Sequence, residues 1–243
     1  MRLAIGCALL LAATCVTAQV RSSDGRLELA ADDARGKLIA RDVATGAVVR
    51  ELAVIDRDRR SARVARIVDA APRRSFVVLL ADAPEAWELS YDPDVEPVYE
   101  GLVHDFRLGE GIATRGPLAR RRIELDTPLA DALFAPDYAH FVGRAAAGEL
   151  HVVNLDVRRR IETVRSDGDP RPAAGAAWRE GRSPIFAVPD AAAPRLLLLD
   201  GRSWRWRTPL ALPAIATAVQ READGTLAVT VGGATLRVTV PAQ

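Results

Sequence analysis

The chain has 243 residues, of which 49% are apolar and 27% are charged. This composition excludes an intrinsically disordered chain, and the length allows a sizeable core in one all-β domain or in two smaller units. The formal net charge is +1, which argues against a dedicated nucleic-acid binder, because neutralising phosphates usually requires a clustered basic excess.

A basic start, a short apolar run and small residues precede Ala18. This pattern predicts a secretory signal peptide over residues 1–18, and therefore export to the periplasm. An alternative makes Cys15 the acylated first residue of a lipoprotein. Both cysteines, Cys7 and Cys15, lie in this segment, so a processed chain would contain no disulfide and no thiolate nucleophile. No later apolar run reaches the roughly 20 residues that a membrane-spanning helix needs, so no span is expected.

From residue 26 onwards the sequence has the alternation and turn spacing of short β-strands. The first predicted strands cover 26–30, 37–41 and 47–54, with turn residues between them. Asp42 closes the second of these strands before a short turn. A hairpin with an aspartate in this place is frequent in β-propeller blades.

Similar hairpins recur along the chain, and in two of them Asp156 and Asp200 follow the first strand, 44 residues apart. This step fits the period of roughly 40 to 50 residues that a four-stranded propeller blade requires. The sequence therefore predicts an all-β, propeller-like single domain over 19–243, incomplete or atypical, with a twisted β-sandwich as the alternative. About five blades are expected, near residues 25–55, 63–98, 125–164, 174–209 and 214–240.

One segment, 91–126, interrupts the strands and contains a predicted insertion loop at about 99–122. Glycines surround its polar side chains, and binding residues often lie on such loops over a rigid scaffold. A histidine in the loop could ligate iron or accept a proton, with a carboxylate beside it as partner. The alternative is a linker between blades in which the histidine caps a turn. The candidate residues are Tyr99, His104, Asp105, Arg107 and Glu110.

The runs 61–80, 85–88 and 96–111 resemble periplasmic propeller proteins of the cytochrome d1 type. That group includes the d1-haem domain of cytochrome cd1 nitrite reductase and related propellers of d1-haem biosynthesis. The resemblance extends over about 61–204 and implies an eight-bladed propeller that holds d1 haem at its central end. If a haem binds, His104 is the expected axial or contact ligand, and so the metal ligand, with Arg107 as a carboxylate partner.

Two positions depart from the pattern of the nitrite reductases. By alignment, Ala130 and Arg179 stand where those enzymes have histidines on the distal side of the haem. The resemblance therefore favours an accessory or biosynthesis-like member that binds haem or another tetrapyrrole without catalysis. An enzyme would need a titratable pair, and the sequence offers none beyond His104 with Asp105 or Glu110. The alternative function is a periplasmic protein-interaction scaffold without a small ligand.

The remaining polar and aromatic residues have mainly structural interpretations. His140 is expected to face solvent in a hairpin, and His151 to be structural. The arginines at 120–122 are expected to lie along a strand with solvent as their main partner. Trp204 and Trp206 are expected to share one face of a strand and to pack between blades. Motifs for zinc, nucleotide or serine-hydrolase sites are missing from the sequence.

Overall fold

The computed structural model describes residues 19–99, 113–129 and 131–240. These residues form an all-β array of five antiparallel blades, as the sequence predicts. The first blade contains four strands in sequential order: β1 (Gln19–Arg21), β2 (Leu27–Asp32), β3 (Lys37–Asp42) and β4 (Val48–Ala53).

The second blade uses strands that lie far apart in the sequence. It contains β5 (Val64–Ala70), β6 (Ser75–Leu80), β7 (Glu85–Ser90) and β10 (Arg120–Glu124). Its sheet continues into the third blade through a parallel bridge between Glu124 and Arg159. Between β7 and β10, a separate two-stranded ladder joins β8 (Val98–Tyr99) to β9 (Ala113–Thr114).

The last three blades again follow the order of the chain. The third blade contains β11 (Ala132–Phe134), β12 (His140–Arg144), β13 (Leu150–Asn154) and β14 (Arg159–Val164). The fourth contains β15 (Ala176–Glu180), β16 (Ser183–Pro189), β17 (Arg195–Asp200), β18 (Arg205–Trp206) and β19 (Leu210–Ala211). The fifth contains β20 (Ala216–Arg221), β21 (Leu227–Val231) and β22 (Ala234–Val238).

Four apolar clusters lie between successive blades, because each inner sheet is apolar on both faces. Buried side chains of the first and second blades meet around Leu38 and Trp87, and those of the second and third around Ile123 and Phe141. The third and fourth blades pack through Phe186, and the fourth and fifth through an equivalent cluster. The first strands of neighbouring blades also contact one another, as the innermost strands of a propeller do.

The outward faces of the first and last blades carry charged and polar side chains. On the first blade, Arg21 pairs with Glu28 at 3.3 Å, and Lys37 with Glu51 at 2.6 Å, on the side opposite the apolar cluster. On the last blade, the outward positions of β21 and β22 include Thr230, Thr235 and Arg237.

The hairpins between third and fourth strands share a capping residue. The Asp42 carboxylate accepts the backbone N–H of Thr45, and Asp200 accepts those of Arg202 and Ser203. In the third blade this role belongs to Asn154, which accepts the N–H groups of Asp156 and Val157. Asp156 follows this strand, as the sequence predicts, but the capping residue is Asn154, because an amide oxygen can also accept the N–H groups of a turn.

In the described residues, no helix is long and apolar enough to cross a membrane.

Candidate functional site

The insertion lies inside the second blade, between its third and fourth strands. Other blades make this connection with a short turn, whereas here the chain leaves β7 at Ser90 and returns to the same sheet at Arg120, opposite Leu89. The interpretation of the segment as a linker between blades was therefore wrong. Its two ends lie on the same face of the array as the 3-10 turn Ala71–Arg73, and we call this the insertion face.

Both ends of the insertion are fixed to the blades. At the first end, the Tyr91 ring is buried and packs 5.2 Å from the ring of Phe76. At the second end, Leu118 is fully buried, and its N–H donates to the carbonyl of Ser90 at 2.5 Å. Arg50 of the first blade donates to the carbonyl of Pro117 at 2.6 Å. The insertion therefore starts and ends at defined positions on the insertion face.

The hydroxyl of Tyr91 belongs to a small polar cluster between the first two blades. It donates to Asp69 at 2.8 Å and lies 3.0 Å from the hydroxyl of Ser23. Burial raises the pKa of Asp69, although the hydrogen bonds from Tyr91 and Ser23 oppose the shift. Burial likewise raises the pKa of Tyr91. No sequence pattern indicates this cluster, because its three members lie on separate strands and turns.

A cavity of about 340 Å³ opens beside the second end of the insertion. It lies on the side of the second blade that faces the third blade, where the apolar cluster ends and polar side chains begin. The lining residues are Pro72, Arg73, Ser75, Glu88, Ser90, Asp92, Val95, Ala119 and Arg121.

An ion-pair network forms one wall of this cavity. Glu88 is 5% exposed, and its Oε1 accepts a hydrogen bond from Arg73 at 2.8 Å. Arg73 also donates to Asp156 of the third blade at 2.7 Å, so the network joins two blades. Arg121 lies 3.5 Å from Oε2 of Glu88. Burial lowers the pKa of Arg73, but the two carboxylates outweigh it and raise the pKa.

The five site residues predicted from the sequence are only partly covered by the structure. Tyr99 is half exposed in the short ladder of the insertion. The other four, His104, Asp105, Arg107 and Glu110, lie outside the described residues. The metal-ligand role of His104 and the carboxylate-binding role of Arg107 therefore stay predictions.

The arginines of β10 make specific contacts with the protein, which contradicts their interpretation as a solvated run. The guanidinium of Arg122 pairs with the buried carboxylate of Glu85 and lies 5.5 Å from the centre of the Trp87 ring. Arg120 stacks over the same ring at 4.8 Å, while Arg121 points to the other face of the sheet and pairs with Glu88.

His140 is half buried, so its prediction as a solvent-facing residue was wrong. Its Nε2 lies 2.9 Å from the side-chain nitrogen of Asn154, and its ring lies 5.5 Å from that of Trp204. Burial lowers the pKa of His140, whereas the nearby charges of Asp137 and Asp156 oppose this shift.

His151 is buried in β13, and within the described ranges its Nδ1 has no hydrogen-bond partner. Trp204 and Trp206 pack between the third and fourth blades, as expected. Trp204, however, precedes β18 with a φ of 53°, so the two do not share one strand. The described residues contain no group of three or more metal-ligating side chains.

Of the two positions aligned with distal histidines, the structure describes only that of Arg179. Arg179 is next to the turn between β15 and β16, on the insertion face, where it pairs with Asp137. Ala130 is outside the described residues, but its neighbour Asp131 lies just before β11, at the opposite face.

Comparison with known proteins places this fold among relatives. No family model matches the chain. A dihydro-haem d1 dehydrogenase of Pseudomonas aeruginosa is 28% identical over 187 residues, which cover 76% of this chain and 33% of that protein. The chain therefore spans about a third of the length of this curated relative.

Solved structures show the same architecture. Dihydro-haem d1 dehydrogenase NirN in complex with DHE superposes with a TM-score of 0.74 at 23% identity, over 91% of this chain and 44% of that one. Hydrazine synthase of Kuenenia stuttgartiensis has a TM-score of 0.53 at 13% identity, over 88% and 54% of the two chains. Apo AztD of Citrobacter koseri has a TM-score of 0.53 at 11% identity, over 83% and 48%.

The sequence comparison and the structure comparison both find a dihydro-haem d1 dehydrogenase. This confirms the resemblance to proteins of the cytochrome d1 type that the sequence indicates. The chain is a homologue of dihydro-haem d1 dehydrogenase and has a β-propeller fold of the cytochrome d1 type.

Proposed function

We propose that this protein is an accessory propeller of the cytochrome d1 type that binds a tetrapyrrole of the d1-haem class without reducing nitrite. The observation that carries the proposal is the homology to a dihydro-haem d1 dehydrogenase, a protein that has been solved in complex with DHE. The departures at Ala130 and Arg179 support binding without the nitrite reductase reaction, since neither side chain offers an imidazole.

Within this proposal, the insertion supplies the ligand-binding residues. His104 would ligate the iron, and Arg107 would pair with a peripheral carboxylate, because a guanidinium matches a carboxylate in a bidentate geometry. Tyr99 precedes these two residues in the sequence, and its side chain is half exposed. It would contact the macrocycle. Asp105 and Glu110 would complete the polar surroundings of the ligand. The fixed ends of the insertion support this arrangement, since binding loops work best on a rigid scaffold.

Haem titration of the purified protein tests the proposal. Adding haem should shift and sharpen the Soret band, and His104→Ala should remove this change, because the variant lacks the imidazole ligand. Arg107→Gln should weaken binding by about 10- to 150-fold without changing the position of the band, since one charge-assisted pair contributes about 1.5–3 kcal/mol. His140→Gln is the matched control and should bind haem normally. A Soret band unchanged by the wild-type protein would refute the proposal.

Export to the periplasm is part of the same proposal. Residues 1–18 lie outside the described residues, and the support is the sequence pattern of a signal peptide. Fractionation of cells that express the whole chain should place it in the periplasm with its N-terminus at Gln19. A protein retained in the cytoplasm with its first residues intact would contradict export.

A protein-interaction scaffold is the second candidate, favoured by apolar side chains exposed on outer strands. Val48 and Val49 of β4 are 46% and 53% exposed, and Ile161 of β14 is 40% exposed. A scaffold without a small ligand predicts no Soret change on adding haem to the wild type, and it predicts that Val49→Glu abolishes co-purification with a periplasmic protein. A wild-type protein that purifies as a monomer without any partner would count against this function.

A further inference from the structure

The imidazole of His140 is held in one protonation state by its neighbour Asn154. The side-chain oxygen of Asn154 accepts the backbone N–H groups of Asp156 and Val157, at 2.8 and 3.0 Å. This fixes the amide nitrogen on the side of His140, where it lies 2.9 Å from Nε2. An amide nitrogen only donates hydrogen bonds, so Nε2 accepts one, and the imidazole is neutral with its proton on Nδ1.

A second proton on His140 is incompatible with this arrangement. Nε2 of the imidazolium carries an N–H, so two donors would face each other at a distance of 2.9 Å. Rotation of the Asn154 amide would give this N–H an oxygen acceptor. The amide nitrogen would then face the two backbone N–H groups of the turn, which would lose their acceptor. Asn154 can therefore accept a hydrogen bond from the charged imidazole or cap the turn, but not both.

The turn that Asn154 caps joins two blades on the insertion face. Its residue Asp156 accepts a hydrogen bond from Arg73 of the second blade at 2.7 Å. Arg73 also donates to the buried carboxylate of Glu88 at 2.8 Å, on the strand to which the insertion returns. Loss of the cap would therefore weaken a contact that holds the second and third blades together beside the insertion.

The fourth blade encloses His140 from the other side. The ring of Trp204, in the turn that follows Asp200, lies 5.5 Å from the ring of His140. The charged groups of this turn are directed elsewhere, since Asp200 pairs with Arg207 at 2.8 Å and Arg202 is exposed. The fourth blade therefore faces the imidazole with an uncharged ring, which favours the neutral form.

The direction of the pKa shift sets the pH range in which His140 changes its charge. Burial lowers the pKa below its ordinary value of 6.5, while the nearby carboxylates of Asp137 and Asp156 oppose this with smaller effects. Each carboxylate already has a cation, because Asp137 pairs with Arg179 and Asp156 with Arg73. The capped turn therefore keeps its full stability above pH 6.5 and loses it as the pH falls through the lowered pKa.

We propose that His140 and Asn154 form an acid-sensitive switch that controls the turn 155–158. While His140 is neutral, Asn154 caps the turn, and Asp156 is held against Arg73. When Nε2 takes up a proton from solvent, the Asn154 amide rotates towards it, the turn loses its cap, and the contact between the second and third blades loosens. The inference does not depend on tetrapyrrole binding, because these residues lie on the blades and their turns and not in the insertion.

NMR titration of the imidazoles and hydrogen exchange of the turn amides, between pH 8 and pH 5 on the full chain, test the switch. The His140 ring should titrate below pH 6.5. Over the same range, the protection of the Asp156 and Val157 amides should fall by about fivefold after correction for intrinsic exchange, the factor for loss of one hydrogen bond. The Thr45 amide is the internal control, because Asp42 caps it with a carboxylate whose pKa is below 3.8.

Two variants separate this switch from a general effect of acid. His140→Gln offers an amide oxygen to Asn154 and does not titrate, so the protection of the turn amides should no longer depend on pH. It also identifies the His140 signal in the NMR spectrum. Asn154→Asp keeps an acceptor for the turn and places a second carboxylate oxygen opposite Nε2. The charged imidazole then gains a partner, so His140 should titrate above pH 6.5, and protection should no longer fall with pH.

Three results would overturn the switch. A wild-type His140 ring that titrates above pH 6.5 would mean that the folded protein favours the imidazolium. An equal fall in protection in the wild type and in His140→Gln would assign the pH response to another group. An equal fall at Thr45 would mean general unfolding in acid, and circular dichroism at pH 5 reports whether each variant is folded.

Discussion

At the scale of single residues, polar side chains in this protein mainly close turns and join blades. Asp42, Asn154 and Asp200 each accept the backbone N–H groups of the turn that follows. Sequence reasoning recognised the two aspartates from their place after a strand. It missed Asn154 because Asp156, two residues later, fits the same pattern, and only the hydrogen bonds distinguish the two.

Asp200 provides a test of this capping role through its pH dependence. Burial would raise the pKa of its carboxyl, but hydrogen bonds from Arg207 and from the N–H groups of Ser203 and Arg202 lower it from 3.8 to about 2. The stabilisation is therefore present above pH 3.8 and is lost as the pH falls towards 2. A shift of this size corresponds to about 2 kcal/mol of unfolding free energy.

Urea unfolding at pH 7 and at pH 2 measures this contribution. Asp200→Asn should be destabilised by about 2 kcal/mol relative to the wild type at pH 7, and the difference should shrink at pH 2, where the carboxylate becomes protonated. Asp33→Asn, at an exposed turn position, is the control and should stay within about 0.5 kcal/mol at both values. A difference for Asp200→Asn that is independent of pH would contradict the role given to its charge.

At the scale of elements, the second blade departs most from the sequence prediction. The predicted blade at 63–98 ended before its fourth strand, which is β10, because the insertion separates β10 from the rest of the sheet. The arginine-rich start of β10 resembles a solvated run, since a sequence does not show which buried carboxylates lie opposite. In the other blades, alternating apolar and polar residues mark the strands, and turn residues mark the hairpins. The hairpins of these blades were therefore predicted correctly.

The pair Arg122 and Glu85 holds β10 to the sheet and gives a prediction at this scale. Glu85 is 1% exposed and also accepts the indole N–H of Trp87 at 2.9 Å. Arg122→Met should lower the unfolding free energy by about 3–5 kcal/mol, because it leaves a buried carboxylate without its cation. Arg159→Met, at an exposed position of β14, should change it by less than about 0.5 kcal/mol.

The double variant distinguishes loss of the charge pair from loss of packing. Adding Glu85→Gln to Arg122→Met should recover part of the stability, since the buried charge is then removed as well. A double variant that recovers none of the lost stability would contradict the charge-pair explanation.

At the scale of the whole molecule, the described residues form a linear series of five blades joined by four apolar clusters. The number of blades was predicted from the recurrence of similar hairpins along the sequence, because each hairpin repeats the same alternation of apolar and polar residues. The site was harder to predict, since Arg73, Glu88 and Arg121 come from three separate segments and none belongs to a recognisable motif. Arrays of this kind gain stability from each repeat and from each interface between neighbours.

In such a series, a substitution that weakens one interface should destabilise the two adjacent blades more than the distant ones. Phe186→Ala removes a fully buried ring from the cluster between the third and fourth blades, at a cost of about 3–5 kcal/mol. Amide hydrogen exchange should accelerate most in the third and fourth blades and least in β2 and β3 of the first blade. Equal acceleration throughout would mean that the array unfolds as one cooperative unit.

The polar outward face of the first blade has a consequence for association between molecules. A sheet face that ends a series of stacked blades could accept the end face of a second copy, and repeated contacts of this head-to-tail kind produce open filaments. Docking on the first blade would require breaking or burying the ion pairs Arg21–Glu28 and Lys37–Glu51. Removing these charges from water costs several kcal/mol for each ion. The same charges therefore oppose the stacking of a second copy on this face of the first blade.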